Sequence, residues 1–304
     1  MDSSPASQAL QAGTVGLAPR TRQLLADYVE LTKPKVQSLL LLTTITTMYV
    51  AGHPSIALVA LTCLGGYLSA GGAGAVNHWF DRDIDALMTR TALRPIPSGR
   101  VSPNAALTFG CALAALSFGE LSLTVNVLAA SLSFAGFLGY VFIYTVWLKR
   151  RTPQNIVIGG AAGAIPPLVG WAAVTGSVSP TAVLLFFIVF FWTPPHFWAL
   201  SLLMKGEYEK VGVPMLPVVR GETETRRQIL LYTVLLYAVT QLPFCAGGFG
   251  YVYLAGSMLL GLGFIAAAVG LYRRADRRSA LRLYLFSLAY LALLFCVMVI
   301  DVKL

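Results

Sequence analysis

The segment PTAVLLFFIVFFWTPPHFWALSLL, residues 180–203, contains no Asp, Glu, Lys or Arg. An α-helix rises about 1.5 Å per residue, so a run of this length crosses the roughly 30 Å hydrocarbon core of a bilayer. Of the 304 residues of the chain, 57% are hydrophobic and 12% are charged, whereas soluble domains carry about 25% charged residues. The sequence therefore predicts a protein that lies in the lipid bilayer, and it excludes a secreted, disordered or nucleic-acid-binding domain.

Further apolar runs of similar length lie on both sides of this segment. They cover about residues 36–52, 55–80, 104–121, 125–147, 154–175, 228–248, 251–272 and 280–300. Because lipid offers the backbone no hydrogen-bond partners, such runs cross it as α-helices. We predict an all-α polytopic membrane protein with nine transmembrane helices.

The basic residues test this count independently. The net charge of +9 comes from 22 Lys and Arg against 13 Asp and Glu. If the N-terminus is cytoplasmic and nine helices alternate in direction, every Lys and Arg except Lys303 falls on the cytoplasmic side, as the positive-inside rule requires. We therefore predict a cytoplasmic N-terminus and an external C-terminus. Residues 1–30 lack the apolar core of a cleavable signal peptide, and we expect a flexible cytoplasmic segment there, followed by one domain over residues 31–304.

The stretch NHWFDRDID, residues 77–85, ends the second apolar run. Asn77, Asp81 and Asp85 are spaced by four, and each step of four turns a helix by only about 40°, so these three residues share one face, here called the stripe. Asp83 points to the other side and fits a solvated residue or an ion pair. Carboxylates this close repel one another, and an oxygen-binding divalent cation, Mg²⁺, Mn²⁺ or Ca²⁺, would relieve the repulsion. The alternative is a charged helix end that pairs with arginines.

Basic residues accompany the stripe. Arg90 and Arg94 follow it directly, Lys149 and Arg150 end a later apolar run, and Lys35 precedes the first run. Carboxylates, a metal and guanidinium groups together can form a diphosphate site, in which the metal bridges phosphate oxygens and the cations bind the remainder. For Lys149 and Arg150, a stop-transfer anchor at the membrane surface is the alternative.

A second long connection, residues 204–227, repeats part of this pattern. Glu207 and Glu209 close a helical run, and prolines and Arg220 follow them. Two acidic helix ends that face each other can hold metal ions across one diphosphate, which makes Glu207 a candidate ligand. A solvated, charged loop fits these residues equally well.

Taken together, these motifs resemble the UbiA-type intramembrane prenyltransferases, whose first aspartate-rich motif is similar to the stripe. Longer signatures resemble the branch of that superfamily that farnesylates heme. They are RTALRP (90–95), LKRRTPQNIVIGG (148–160), AIPPLVGW (164–171), WTPPHFW (192–198) and GVPMLPVV (212–219). One departure is Glu207-Tyr208, where the branch usually has Asp-Tyr.

The resemblance implies nine helices around a central cavity, with the active site on the cytoplasmic side of a bacterial inner membrane. It implies transfer of farnesyl from farnesyl diphosphate to the 2-vinyl group of heme b, with addition of water, making heme O for terminal oxidases. Mg²⁺ or Mn²⁺ would be the cofactor, and heme A synthase or oxidase assembly proteins would be partners. Asn77, Asp81, Asp85 and Arg94 would be catalytic. The first three of these, with Glu207, would bind the metal.

Two histidines are candidates for the heme side of the site. His196 follows Pro194-Pro195 inside an apolar run, so it either binds heme or bonds a carbonyl that the prolines leave free. His78 lies beside the stripe and is a candidate for contact with the second substrate. Trp192 and Trp198 would line the porphyrin pocket, or would simply pack or face lipid.

Two other functions compete with this one. A prenyltransferase for a quinone or another aromatic acceptor would carry a second complete Asp-x-x-x-Asp motif, which this sequence lacks. A cation-coupled transporter would place its ionisable residues near the middle of the membrane, whereas these lie at one end of the predicted helices.

Overall fold

The computed structural model describes residues 21–304, and every regular element in that range is helical. The helices are α1 (21–31), α2 (Pro34–Ala51), α3 (Ile56–Phe80), α4 (Arg82–Leu87), α5 (Pro103–Thr124), α6 (Val127–Leu138), α7 (Asn155–Gly163), α8 (Ile165–Thr175), α9 (Pro180–Leu203), α10 (Lys205–Lys210), α11 (Leu216–Val219), α12 (Gly221–Cys245), α13 (Tyr251–Arg274) and α14 (Arg277–Lys303). A π-helical segment, Gly139–Leu148, continues α6. The all-α prediction is confirmed.

Eight helical spans in the described part of the chain are long and apolar enough to cross a membrane. They are Ile56–Phe80, Pro103–Thr124, Val127–Leu148, Asn155–Thr175, Pro180–Leu203, Gly221–Cys245, Tyr251–Arg274 and Arg277–Lys303. The prediction of a multi-span membrane protein is therefore confirmed. Helix α2 has 18 residues and includes Lys35, Gln37 and four threonines, so it is less apolar than these spans. The count of nine and the orientation of the termini stay predictions.

Glycines allow α3 and α5 to pack backbone against backbone. A Cβ atom at Gly72 would lie 2.6 Å from the carbonyl oxygen of Gly110, and one at Gly110 would lie 2.9 Å from that of Gly72. Ser117 of α5 also donates a hydrogen bond to the Gly65 carbonyl, 2.7 Å away. In lipid, small residues of this kind let helices associate through close van der Waals contact. This packing fixes the position of α3 against α5, and the last turn of α3 carries Asn77.

Two other glycines of α3 bring the chain before α2 close to Asn77. A Cβ at Gly71 would lie 3.1 Å from Thr32, and one at Gly74 would lie 3.1 Å from the Leu31 carbonyl oxygen. Residues 31–33 therefore run directly along α3. Lys33 follows with a positive φ of 55°, a left-handed conformation that costs a non-glycine residue about 1–3 kcal/mol.

The predicted segment 1–30 falls partly outside the described residues, which begin at residue 21. Residues 21–31 are helical, and Asp27 is buried beneath Arg100, whose Nε lies 2.8 Å from the carboxylate. This ion pair ties α1 to the connection between α4 and α5. The boundary between a flexible segment and the domain stays a prediction.

The π-helical segment after α6 sets the direction of its last side chains. The Lys149 N–H donates to the Tyr144 carbonyl, five residues back, at 2.8 Å. A π-helix takes more residues per turn than an α-helix and often occurs at functional sites. Helix α7 packs on this segment through Gly159, where any Cβ would collide with the Tyr144 ring. As a result, Thr145 and Lys149 meet the end of α3.

Side-chain contacts show which elements meet at each end of the bundle. At one end, Glu207 accepts hydrogen bonds from the Thr89 N–H at 2.8 Å and the Thr89 hydroxyl at 3.1 Å. The connections after α3 and after α9 therefore lie together at the end that carries the stripe. At the other end, Asp301 accepts from the Gly250 and Tyr253 N–H groups at 2.6 and 2.9 Å, which joins the end of α14 to the start of α13.

Candidate active site

Asp81 lies at the junction of α3 and α4, where its side chain is 1% exposed. Its Oδ2 accepts hydrogen bonds from the Lys149 ammonium group and, at 2.7 Å, from the Asn77 amide. The same amide donates to the Thr145 hydroxyl at 3.1 Å. Because a carboxylate taken out of water needs charged or hydrogen-bonding partners, Lys149 and Asn77 together satisfy the buried Asp81 side chain.

Asp85 repeats this arrangement one turn later. Its side chain is 4% exposed, and its Oδ2 accepts from Arg94 Nη1 at 2.6 Å. The Thr91 hydroxyl donates to the Asp85 backbone carbonyl at 2.8 Å. The Asp85 N–H bonds to the Asp81 carbonyl and the Asp81 N–H to the Asn77 carbonyl, at 2.8 and 2.9 Å. The stripe thus keeps its helical register across the junction, as the spacing predicts.

Lys33 binds Asn77 and completes the cluster of charged side chains around Asp81 and Asp85. Its ammonium group donates to the Asn77 amide oxygen at 2.5 Å and lies 5.9 Å from the centre of the Tyr140 ring. Burial, together with the positive charges of Arg94 and Lys149, lowers the pKa of Lys33 to about 7. Arg94 and Lys149 each pair with one carboxylate and Lys33 binds the Asn77 amide, so three basic side chains converge on the stripe and can attract an anionic ligand.

Arg150 binds both Asp83 and Asp81. It makes two hydrogen bonds to the Asp83 carboxylate, at 2.7 and 2.6 Å, and a longer contact of 3.4 Å to Asp81. The hydrogen bond from Arg150 lowers the pKa of Asp83 to about 2. The Arg150 guanidinium also lies over the Phe80 ring, 4.9 Å from its centre. Asp83 is therefore an ion-pair residue, one of the two roles that its position predicts.

Three other predicted residues lie outside this network. Lys35 and Arg90 are exposed, and Glu207 uses both carboxylate oxygens to bind Thr89. Their predicted roles, in diphosphate binding for the two cations and in metal binding for Glu207, have no contact with the stripe to support them and stay predictions.

His196 is held by hydrogen bonding and by aromatic stacking. Its Nδ1 lies 2.7 Å from the Ser287 hydroxyl, and its ring stacks between Trp192 and Tyr284 at centroid distances of 4.3 and 4.9 Å. The Trp192 indole N–H donates to the Ser287 carbonyl at 2.7 Å. These contacts join α9 to α14. They favour the structural interpretation of His196 and Trp192, while their roles in heme binding stay predictions.

Two buried side chains have nitrogen atoms without a partner in the described residues. Both ring nitrogens of His78 and the indole nitrogen of Trp198 are in this state, and each of these residues is 2% exposed. The Trp198 ring meets the edge of Tyr232, at a centroid distance of 5.1 Å. A buried donor without a partner costs about 1–3 kcal/mol, so each is a candidate for contact with a ligand.

The side chains of the stripe fit a magnesium ion in part. In the described range there is no group of three or more His, Cys, Asp or Glu side chains that could hold a metal. Mg²⁺ commonly takes only one or two carboxylates from a protein and the rest from water and phosphate oxygens. Asp81 and Asp85, with the amide of Asn77, match that donor set.

Sequence reasoning missed several residues of this cluster. The sequence distinguishes Lys33 only as one of the cytoplasmic charges, and it favours the neighbouring Lys35 as a diphosphate-binding residue. Thr145 and the stacked pair Tyr140 and Tyr144, with ring centres 5.3 Å apart, carry no motif that distinguishes them. The positive φ of Lys33 distinguishes this residue from its neighbours, but a backbone angle is known only from the folded structure.

Comparison with known proteins supplies the family. The model of the UbiA prenyltransferase family matches residues 40–294. The chain belongs to the UbiA prenyltransferase family. One solved structure comes from work on the biosynthesis of digeranylgeranylglyceryl phosphate synthase in membranes. It superimposes on this chain with a TM-score of 0.76 at 22% identity, and the match covers 93% of this chain and all of the other. A UbiA homolog from Archaeoglobus fulgidus bound to GPP and Mg²⁺ gives a TM-score of 0.63 at 17% identity, over 90% of this chain and 99% of that one.

Curated relatives of this UbiA family member are more similar in sequence. A protoheme IX farnesyltransferase of Chloroflexus aurantiacus is 54% identical over 98% of this chain, and the chain spans only 51% of that relative's length. A protoheme IX farnesyltransferase of Symbiobacterium thermophilum is also 54% identical, over 92% of this chain and 95% of its own length. The chain thus spans about half the length of some curated relatives and nearly all of others.

Proposed function

We propose that this chain transfers a farnesyl group from farnesyl diphosphate to the 2-vinyl group of heme b, with addition of water, to make heme O for terminal oxidases. The observation that carries the prenyl-transfer part is the buried cluster in which Lys149 binds Asp81 and Arg94 binds Asp85. The choice of farnesyl and heme rests on relatives at 50–56% identity that bear the name protoheme IX farnesyltransferase.

Departure of diphosphate is the step that the cluster supports. The carbon–oxygen bond breaks easily only if the negative charge that forms on the diphosphate is stabilised. Lys33, Arg94 and Lys149 are placed to bind that charge, and Arg150 adjoins them through Asp81. Because these groups are partly withdrawn from water, their interaction with the anion is stronger than at an exposed surface.

The stripe would hold the metal cofactor, Mg²⁺ or Mn²⁺, through Asp81 and Asp85 with Asn77. The ion would supply positive charge at the leaving diphosphate. In the structure, Lys149 and Arg94 neutralise the same carboxylates. They are therefore positioned to exchange a carboxylate partner for a phosphate oxygen when substrate binds.

The farnesyl carbocation must be kept from water until the vinyl carbon attacks it. Tyr140 and Tyr144 lie beside the cluster, on the π-helical segment. Aromatic faces attract cations, so these rings are suited to face the positive charge. The new carbon–carbon bond moves the cation to the carbon next to the porphyrin. Water adds there and loses a proton, and the diphosphate leaves as the second product.

The proposal extends to location and partners. The stripe and most basic residues would face the cytoplasm of a bacterial cell whose inner membrane holds the protein, as the positive-inside rule favours. Heme O would then pass to heme A synthase or to proteins that assemble the oxidase. Both substrates are lipophilic, which suits a bundle embedded in the bilayer.

Product mass tests the proposal. The purified full chain is incubated with heme b, farnesyl diphosphate and Mg²⁺, and the porphyrin products are analysed by mass spectrometry. We expect a product heavier than heme b by one farnesyl group and one water. Unchanged heme b, together with prenylation of a quinone precursor under the same conditions, would contradict the proposed acceptor.

A further inference from the structure

His78 is a buried side chain for which the mechanism above has no role. It is 2% exposed, and neither ring nitrogen has a hydrogen-bond partner in the described part of the chain. A neutral imidazole carries one N–H donor and one acceptor. Leaving both without partners inside a protein is costly, so the arrangement indicates that a ligand supplies a partner.

The position of His78 on α3 places its side chain on the same helix face as the carboxylates of the stripe. Asp81 and Asp85 follow at i+3 and i+7, spacings that lie on one helical face. The register is kept across the α3–α4 junction by the backbone bonds between Asn77, Asp81 and Asp85. His78 therefore lies beside the stripe, on the same side of the helix as both carboxylates.

The charges around His78 are those of the proposed diphosphate site. Its charged neighbours are Lys33, Arg94 and Lys149, the three cations that converge on the stripe. An anion bound by these basic groups would lie on the side of α3 that carries His78, and an N–H group bonds an anionic oxygen more strongly than a neutral one. The role requires no change in the protonation of the ring.

We infer that His78 donates an N–H hydrogen bond to a diphosphate oxygen of the prenyl donor, an assignment that rests on the proposed function. His78 is thus a residue of the donor subsite, in place of the contact with the second substrate that the sequence suggests. His196 differs in having Ser287 as a partner for Nδ1.

Binding of inorganic pyrophosphate tests this assignment without turnover. Isothermal titration of the full-length protein in detergent, with Mg²⁺ present, compares the wild type with His78→Phe, His78→Gln and His53→Phe. Phenylalanine removes both nitrogens, whereas the glutamine amide keeps an N–H donor. His53 is exposed at the opposite end of the bundle, near Lys303, and so the same substitution there is a matched control.

We expect His78→Phe to weaken pyrophosphate binding roughly ten- to a hundredfold, the loss typical of a hydrogen bond to a charged group. His78→Gln should recover most of the affinity, and His53→Phe should leave it unchanged. In turnover assays His78→Phe should raise the KM for farnesyl diphosphate and leave that for heme b unchanged. Size-exclusion profiles and thermal unfolding identify variants that fail to fold. If His78→Phe fails, His78→Ala, which also lacks both ring nitrogens, takes its place in the comparison.

Unaltered pyrophosphate binding by a folded His78→Phe protein would overturn the inference, and so would a rise in the KM for heme b alone. The proposed function is tested separately, by wild-type turnover of heme b. A wild-type protein that binds pyrophosphate but does not modify heme would contradict the proposed acceptor, while the titration would still measure the role of His78.

Discussion

The ion pair between Asp81 and Lys149 links stability and chemistry at one buried position. Removing one partner of such a pair leaves the other charge uncompensated, at a cost of about 3–5 kcal/mol. The same carboxylate is the proposed metal ligand. A single substitution at Asp81 therefore has two effects, and a second substitution can separate them.

Asp81→Asn should lower turnover at least about a hundredfold, because charge stabilisation of the leaving group is lost, and should also lower the melting temperature. Asp81→Asn combined with Lys149→Met should recover the melting temperature but not the turnover. Asp85→Asn should likewise lose activity. Steady-state kinetics and thermal unfolding measure the two effects independently.

Asp83→Asn is the matched control for these variants. Asp83 is 61% exposed and lies two residues from each aspartate of the stripe, so its loss should change turnover only slightly. Full activity of Asp81→Asn and Asp85→Asn would remove both residues from the chemistry.

Arg94 is expected to act on substrate binding. Arg94→Ala should raise the KM for farnesyl diphosphate roughly ten- to a hundredfold, since a charged hydrogen bond to phosphate is lost. Arg94→Lys should recover the charge but not the paired N–H geometry, giving an intermediate KM. Arg100→Ala is the control, because Arg100 binds Asp27 and not the stripe. An unchanged KM in Arg94→Ala would place Arg94 outside the diphosphate site.

At the scale of elements, the packing of α3 on α5 depends on a few missing side chains. Gly72→Ala would place a Cβ atom 2.6 Å from the Gly110 carbonyl oxygen, so the helices must separate. Overpacking of this kind costs about 1–3 kcal/mol, and we expect a lower melting temperature. Gly119→Ala, also in a helix but with open space around its Cβ, should leave the melting temperature unchanged or raise it, because alanine favours helix. Equal effects of both substitutions would contradict the packing argument.

The helix boundaries show how much of the structure the pattern of apolar residues predicts. The run predicted over residues 180–203 corresponds to α9, Pro180–Leu203, and that over 55–80 corresponds to α3, Ile56–Phe80. The run over 154–175 divides into α7 and α8, at Ala164 before the prolines. The π-helical winding of Gly139–Leu148 has no counterpart in the pattern of apolar residues along the sequence.

For the whole molecule, the predicted orientation has a direct test by cysteine labelling. In a protein whose four native cysteines are replaced by alanine, single cysteines are placed at Ser177 and Lys210, which are exposed at opposite ends of α9. A membrane-impermeant maleimide should label Ser177→Cys in intact cells and Lys210→Cys only after permeabilisation. Arg22→Cys, at an exposed position before α2, should behave like Lys210→Cys if α2 also crosses and nine helices span the membrane. The reverse pattern would contradict the cytoplasmic placement of the stripe.

The amino-acid order is enough to predict the helical class, most of the spans and the position of the stripe at a helix end. Each of these depends on local properties, namely apolar run length, four-residue spacing and the backbone's need for hydrogen bonds in lipid. The approach of Lys149 to Asp81 and of Lys33 to Asn77 depends on folding, because it joins residues 68 and 44 positions apart. Glycine contacts at Gly71 and Gly74 and the π-helical turn bring those chains together, and no local rule distinguishes Lys33 from Lys35. Long-range packing therefore selects which of the available charges meet the stripe.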